Sequence, residues 1–242
     1  MERMDGEKIK ALVGRMGATV EARLPNYDRR FMLPWIGGKY DASSFKLLIL
    51  GESTFHDPKS PFQNIDPRHA CIGTCELGRW HAAGLLNAPK WRRTGNFFPS
   101  VVTYITGKGR LDFPPNEFAE VWEEWVFWDL VQEPLQSSMH RPTKAQFQYG
   151  WYAFGALIRL LEPAPDLVVV VGYSMRSEFI RLPKIQWRQL GQDGDYFEYL
   201  PATARLIFLP HPAWLPRVKR KAVDEHKRLL EITNRLRRQL PT

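Results

Sequence analysis

Cysteine is almost missing from this 242-residue chain, with Cys71 and Cys75 its only two. Two thiols cannot make a disulfide framework, which leaves a packed core as the source of stability and a reducing cytoplasm as the expected compartment. Long apolar runs are missing too. The longest are strand-sized, far short of the ~20 residues a membrane helix needs. The segment from Met1 to Lys10 is charged and lacks the apolar centre of a signal peptide. No Gly/Ser-rich linker and no repeat divides the chain, so a single domain over 1–242 is expected. An acidic excess is also absent. The formal net charge is +8, which favours a polyanionic partner because Lys and Arg displace condensed counterions from phosphates. Many proteins are equally basic without such a partner.

Hydrophobic residues make up 44% of the chain, enough for one good core. Residues 5–22 read as an amphipathic helix, with Ile9, Leu12, Val13, Met16 and Val20 on one face. Four apolar runs read as buried strands: 45–50, 125–131, 166–172 and 204–209. Helical stretches are expected from Pro99 onward, near 146–162 and over 222–240. Between Phe55 and Thr94 lies a long irregular segment with Pro58, Pro61, Pro67, Gly73 and Gly78. Parallel strands need crossovers, usually helical, so this alternation predicts an α/β fold: a three-layer α/β/α sandwich around a central four-stranded parallel sheet.

Polar residues at the carboxyl ends of parallel strands are where open α/β sheets build sites. The first strand is followed by Gly51-Glu52-Ser53-Thr54-Phe55-His56 and the fourth by His211-Pro212-Ala213-Trp214-Leu215. An apolar strand with G-E/Q-x-x-aromatic-H, then later a strand with H-P-x-x-L, resembles the order of motifs in the uracil-DNA glycosylase superfamily. The likeness is patchwise, over about residues 45–217. It implies the same α/β/α sandwich and an activity that flips a base out of DNA and hydrolyses its N-glycosidic bond. Such chemistry needs a group on the sugar side to stabilise oxocarbenium charge or direct water, and a donor for the leaving base.

The resemblance distributes these roles. Glu52 falls where the iron–sulfur branch has its motif glutamate, and Asp57 is a second candidate because Ser53 stands where the uracil-specific branch has aspartate. His211 matches the histidine that bonds the leaving base. Phe55 and the run Gly95-Asn96-Phe97-Phe98-Pro99 resemble the pocket aromatics, which makes Phe98 the expected platform under the flipped base, with Asn96 and Ser53 beside it; Phe97 is assigned to core packing. Leu215 matches the leucine inserted into the duplex, with Trp214 as a substitute wedge. Arg217 and Lys219 are placed to grip phosphates. Each residue also has a plainer explanation: Glu52 as a helix cap, His211 as a structural histidine, the aromatics as core.

Asp129 discriminates most sharply. The second strand aligns with the one whose asparagine reads uracil, and this chain has aspartate there. An amide can donate to uracil O4, whereas a carboxylate only accepts and suits the N4 amino group of cytosine. Strand-end aspartates also cap turns. Excision of ordinary cytosine would destroy the host genome, so the expected substrate is a bulky cytosine derivative, for example glucosylated hydroxymethylcytosine of phage DNA. Asp57, Asn64, Arg68 and His69 of the 56–94 segment are then candidates for bonding sugar hydroxyls. Repair of uracil or deaminated bases, and an inactive nucleic-acid binder on the same fold, are the alternatives. His69, Cys71, Cys75 and His81 form a loose potential zinc set, though buried reduced thiols explain the cysteines as well. No metal, cluster or other cofactor is expected, no membrane, and a monomer acting on DNA.

Overall fold

The computed structural model describes residues 32, 34–53, 97–108, 112–114, 117–133, 135–136, 140–183, 186–190, 196–200, 203–211 and 219–237. The N-terminal helix expected over 5–22 and the 56–94 segment lie outside the described residues. In chain order the elements are β1 (Trp35–Ile36), β2 (Leu47–Gly51), α1 (Phe97–Thr106), α2 (Glu117–Glu120) with a 3-10 turn over Val121–Glu124, and β3 (Trp125–Asp129). There follow α3 (Lys144–Leu160), β4 (Leu167–Val171), α4 (Tyr173–Phe179), β5 (Trp187–Gln189), β6 (Tyr196–Tyr199), β7 (Ala204–Leu209) and α5 (Lys219–Arg237).

The α/β class is observed, with a wider sheet than the four strands expected. It has seven strands in the order β1-β3-β2-β4-β7-β6-β5 and is mixed. β3, β2, β4 and β7 pair parallel with their neighbours, while β1 at one edge and β6 and β5 at the other pair antiparallel. The apolar runs β2, β3 and β4 are buried at every position, as required of parallel strands covered on both faces. The edge strands escape sequence detection because they are only two to four residues long and carry mixed patterns; in β5 Trp187 is buried and Arg188 and Gln189 are exposed.

Alternation along the strands splits the core in two. On one side Leu48, Leu50, Trp128, Val168, Val170 and Phe208 pack with Phe147, Trp151 and Phe154 of α3 and Met175 and Phe179 of α4. On the other, Ile49, Phe127, Val169, Ile207 and Leu209 pack with Phe98, Val101 and Val102 of α1 and Leu229, Ile232 and Leu236 of α5. The chain leaves β2 toward α1 on one face and leaves β4 toward α4 on the other. Because β2 and β4 are adjacent and the helices that follow them lie on opposite faces, their carboxyl ends mark the switch point where an open α/β sheet usually has its ligand crevice.

Candidate functional site

The rim of the crevice is held by backbone bonds beyond the strands themselves. Leu130 N donates to Gly51 O at 2.9 Å, Val131 N to Glu52 O at 3.0 Å, and Gly172 N to Leu209 O at 2.8 Å. Strand β3 itself ends at Asp129, earlier than its apolar run suggests. Gln132 braces the turn that follows: its buried amide donates to Asp129 O at 2.6 Å and accepts from Met32 N at 2.7 Å. Two glycines make room. A side chain at Gly51 would run into the Asp129 carboxylate, and Gly172, at φ 144°, holds a backbone shape that side chains resist.

Three expected residues sit at carboxyl ends of the parallel strands: Glu52 just after β2, Asp129 closing β3, and His211 two residues after β7. They fall on two sides of the crevice. Asp129, 4% exposed, shares the α1 side with Phe127. There the half-buried Phe97 sets its ring 5.6 Å from the His211 imidazole, tilted by 40°. Phe98 is 7% exposed and packs edge-on against Trp122 and Phe127, at 5.6 and 5.3 Å between ring centres. The ring beside the candidate histidine is thus Phe97, and Phe98 lies in the core. The first residue of a helix points where its neighbour does not, and the pattern Phe97-Phe98 alone cannot say which of the two faces the crevice.

Glu52 has different company. Ser174 Oγ, at the start of α4, donates a short hydrogen bond to Glu52 Oε2, and Arg141 Nη1 lies 3.6 Å from Glu52 Oε1. Burial raises the Glu52 pKa above the ordinary carboxylate value, and the Arg141 charge opposes that shift without cancelling it. His211 moves the other way. Burial first, and the Arg141 charge second, hold its pKa below the ordinary imidazole value, so the ring is neutral at physiological pH. Arg141 acts on both groups.

Arg141 and Ser174 were not among the expected site residues. The signals available were positional: Thr143 with Gln146 spells a helix start just after the β3 loop, and Gly172-Tyr173-Ser174 follows the most apolar strand. Ser53 is half-buried beside Glu52, and Lys219 is the first residue of α5. Phe55, Asp57, Asn96, Trp214, Leu215 and Arg217 lie outside the described residues, as do His69, Cys71, Cys75 and His81. A recess of about 220 Å³ is lined by Gln132, Glu133, Ala145, Gln146 and Tyr149, beside the start of α3. Among the described residues no group of three or more His, Cys, Asp or Glu could hold a metal ion, and no helix is long and apolar enough to cross a membrane.

In chemical terms the crevice offers a carboxylate with raised proton affinity, a neutral imidazole, a buried acceptor and an aromatic face. No protein-family model and no curated protein matches the chain.

Proposed function

We propose that the protein is a monofunctional DNA glycosylase of the uracil-DNA glycosylase type that hydrolyses the glycosidic bond of a bulky cytosine derivative, for example glucosylated hydroxymethylcytosine, and leaves an abasic site. The observation that carries this reading is the placement of Glu52, Asp129 and His211 at the carboxyl ends of three strands of one parallel set, with the Phe97 ring beside His211. The flipped base stacks on Phe97, and its N4 amino group donates to the Asp129 carboxylate. As the bond to C1′ lengthens, negative charge builds on the base and collects at O2. His211, held neutral by burial, donates an N–H there without needing to be charged. On the sugar side Glu52 stabilises the oxocarbenium and takes a proton from the attacking water; its raised proton affinity suits it to act as that base once ionised.

The test is direct. The purified protein is mixed with duplexes containing glucosylated hydroxymethylcytosine, plain cytosine or uracil, and abasic sites are scored by alkaline cleavage. Release from the modified cytosine alone, with no strand break before alkali, is the expected outcome. Release of uracil alone returns the reading to repair; DNA binding without release from any substrate leaves an inactive binder on this fold.

A further inference from the structure

Arg141 has a stiff base and an exposed head. Pro142 follows it and restricts its backbone to extended shapes. Thr143 then caps α3 reciprocally: Gln146 N donates to Thr143 Oγ1 at 3.2 Å and Thr143 N donates to Gln146 Oε1 at 2.8 Å. Gln146 Nε2 also donates to Glu133 Oε2 at 3.3 Å, tying the helix start to the loop after β3. On this anchor the Arg141 side chain is 78% exposed, whereas that of Glu52 is 11% exposed. The arginine reaches the carboxylate from solvent.

The contact between them is incomplete. A planar guanidinium is best satisfied by two parallel bonds to two anionic oxygens. Only Glu52 Oε1 faces it, with Oε2 turned to Ser174, and the 3.6 Å separation is long for a hydrogen bond. A phosphodiester offers two non-bridging oxygens that share one negative charge and can both face the guanidinium. The carboxylate must also be clear of the arginine if water and sugar are to approach it.

We infer that Arg141 is a phosphate-binding residue held against Glu52 in the free protein, and that on DNA its guanidinium moves to a backbone phosphodiester beside the extracted nucleotide and uncovers Glu52. The inference rests on the glycosylase reading for its ligand. The transfer has a chemical consequence: a carboxylate that loses a neighbouring positive charge binds a proton more tightly and is a stronger base. Glu52 gains basicity only when DNA is seated.

Binding of a fluorescein-labelled duplex of ordinary sequence, followed by anisotropy across a potassium chloride series, tests this without requiring base release. Arg141→Gln should flatten the slope of log affinity against log salt by about 1, the share of one phosphate contact. Arg141→Lys, which keeps the charge, should restore that slope with weaker binding. Glu52→Gln releases the arginine beforehand and should tighten binding roughly two- to fivefold, the range expected for freeing one partner of an exposed pair. That gain should vanish in the Glu52→Gln/Arg141→Gln double variant. An unchanged slope in Arg141→Gln, or a gain that survives in the double variant, overturns the inference and leaves the glycosylase reading standing. Failure of the unaltered protein to bind duplex even at low salt overturns both.

Discussion

The two sides of the crevice solve one problem in opposite ways. On the α3/α4 side, Glu52 is surrounded by polar groups, the Ser174 hydroxyl and the exposed Arg141 head. On the α1 side, His211 lies against Phe97, and Asp129 is buried beside Phe127 and Gly51. Burial acts on both, and it favours the uncharged form in each case: it raises the carboxyl pKa and lowers the imidazole pKa. Only Glu52 has a cation at 3.6 Å to counter this. The comparison shows how one cation serves both groups: the Arg141 charge favours the ionised Glu52 carboxylate against its burial and reinforces burial in keeping the His211 imidazole neutral.

The sharpest way to break the comparison is to remove each side's reacting group. Glu52→Gln and His211→Ala should each slow base release by about a hundredfold or more, since both act on charge that appears in the transition state. Single-turnover assays on modified-cytosine duplex measure this. If Glu52→Gln keeps full activity, the polar side is a structural cap and the proposed base must be another group, with Asp57 first in line.

Asp129 should come next in size. Asparagine there can present either its carbonyl to N4 or its amino group to O4, so Asp129→Asn should relax preference for cytosine-type over uracil-type bases by about ten- to a hundredfold. Gly51→Ala sharpens the point, because the added methyl collides with the Asp129 carboxylate rather than with backbone. It should disturb base choice as Asp129→Asn does. Substrate competition that is indifferent to both changes would reduce Asp129 to a turn residue.

The two adjacent phenylalanines separate stacking from packing. Phe97→Ala should weaken turnover by roughly tenfold, within the range for one lost stacking contact, with a smaller loss of stability than at Phe98 because Phe97 is only half-buried. Phe98→Ala removes a ring wedged between Trp122 and Phe127 and should cost about 3–5 kcal/mol of folding free energy. Denaturant melts beside kinetics decide it. The reverse pattern would put the platform back at Phe98.

These residues also mark how far the chain could be read before its structure. The central strands were legible because a parallel strand buried on both faces is continuously apolar; 204–209 coincides with β7, and 45–50, 125–131 and 166–172 contain most of β2, β3 and β4. Strand ends were less so. Leu130 and Val131 are as apolar as the strand before them and still bond to Gly51 O and Glu52 O, so nothing in their composition marks the end of β3 at Asp129. That Glu52, Asp129 and His211 stand at strand ends was legible because position after a strand is a local property. Arg141 was not, since its relation to Glu52 spans the whole β3-to-α3 connection and depends on strand order, which no local pattern encodes.

The smallest expected effect is on stability, and it checks that burial governs both groups. The Glu52 pKa is raised in the folded protein, so folding favours its protonated form, and the group costs stability as pH rises from the ordinary carboxylate value through the folded one. Above the folded value that cost is fully present. The His211 pKa is lowered, so the unfolded chain takes up the proton first, and stability is lost as pH falls from the ordinary imidazole value through the folded one. At neutral pH that loss is absent. Glu52→Gln should therefore raise Tm by a few degrees at about pH 7, with the gain shrinking in acid, whereas His211→Gln should gain, relative to the unaltered protein, only as the pH falls below about 6. Thermal melts of the three proteins across that range separate the two sides. A Glu52→Gln variant with no gain at neutral pH would mean that Ser174 and Arg141 offset the burial of the carboxylate completely, and the contrast between a compensated and an uncompensated side would lie in chemistry alone.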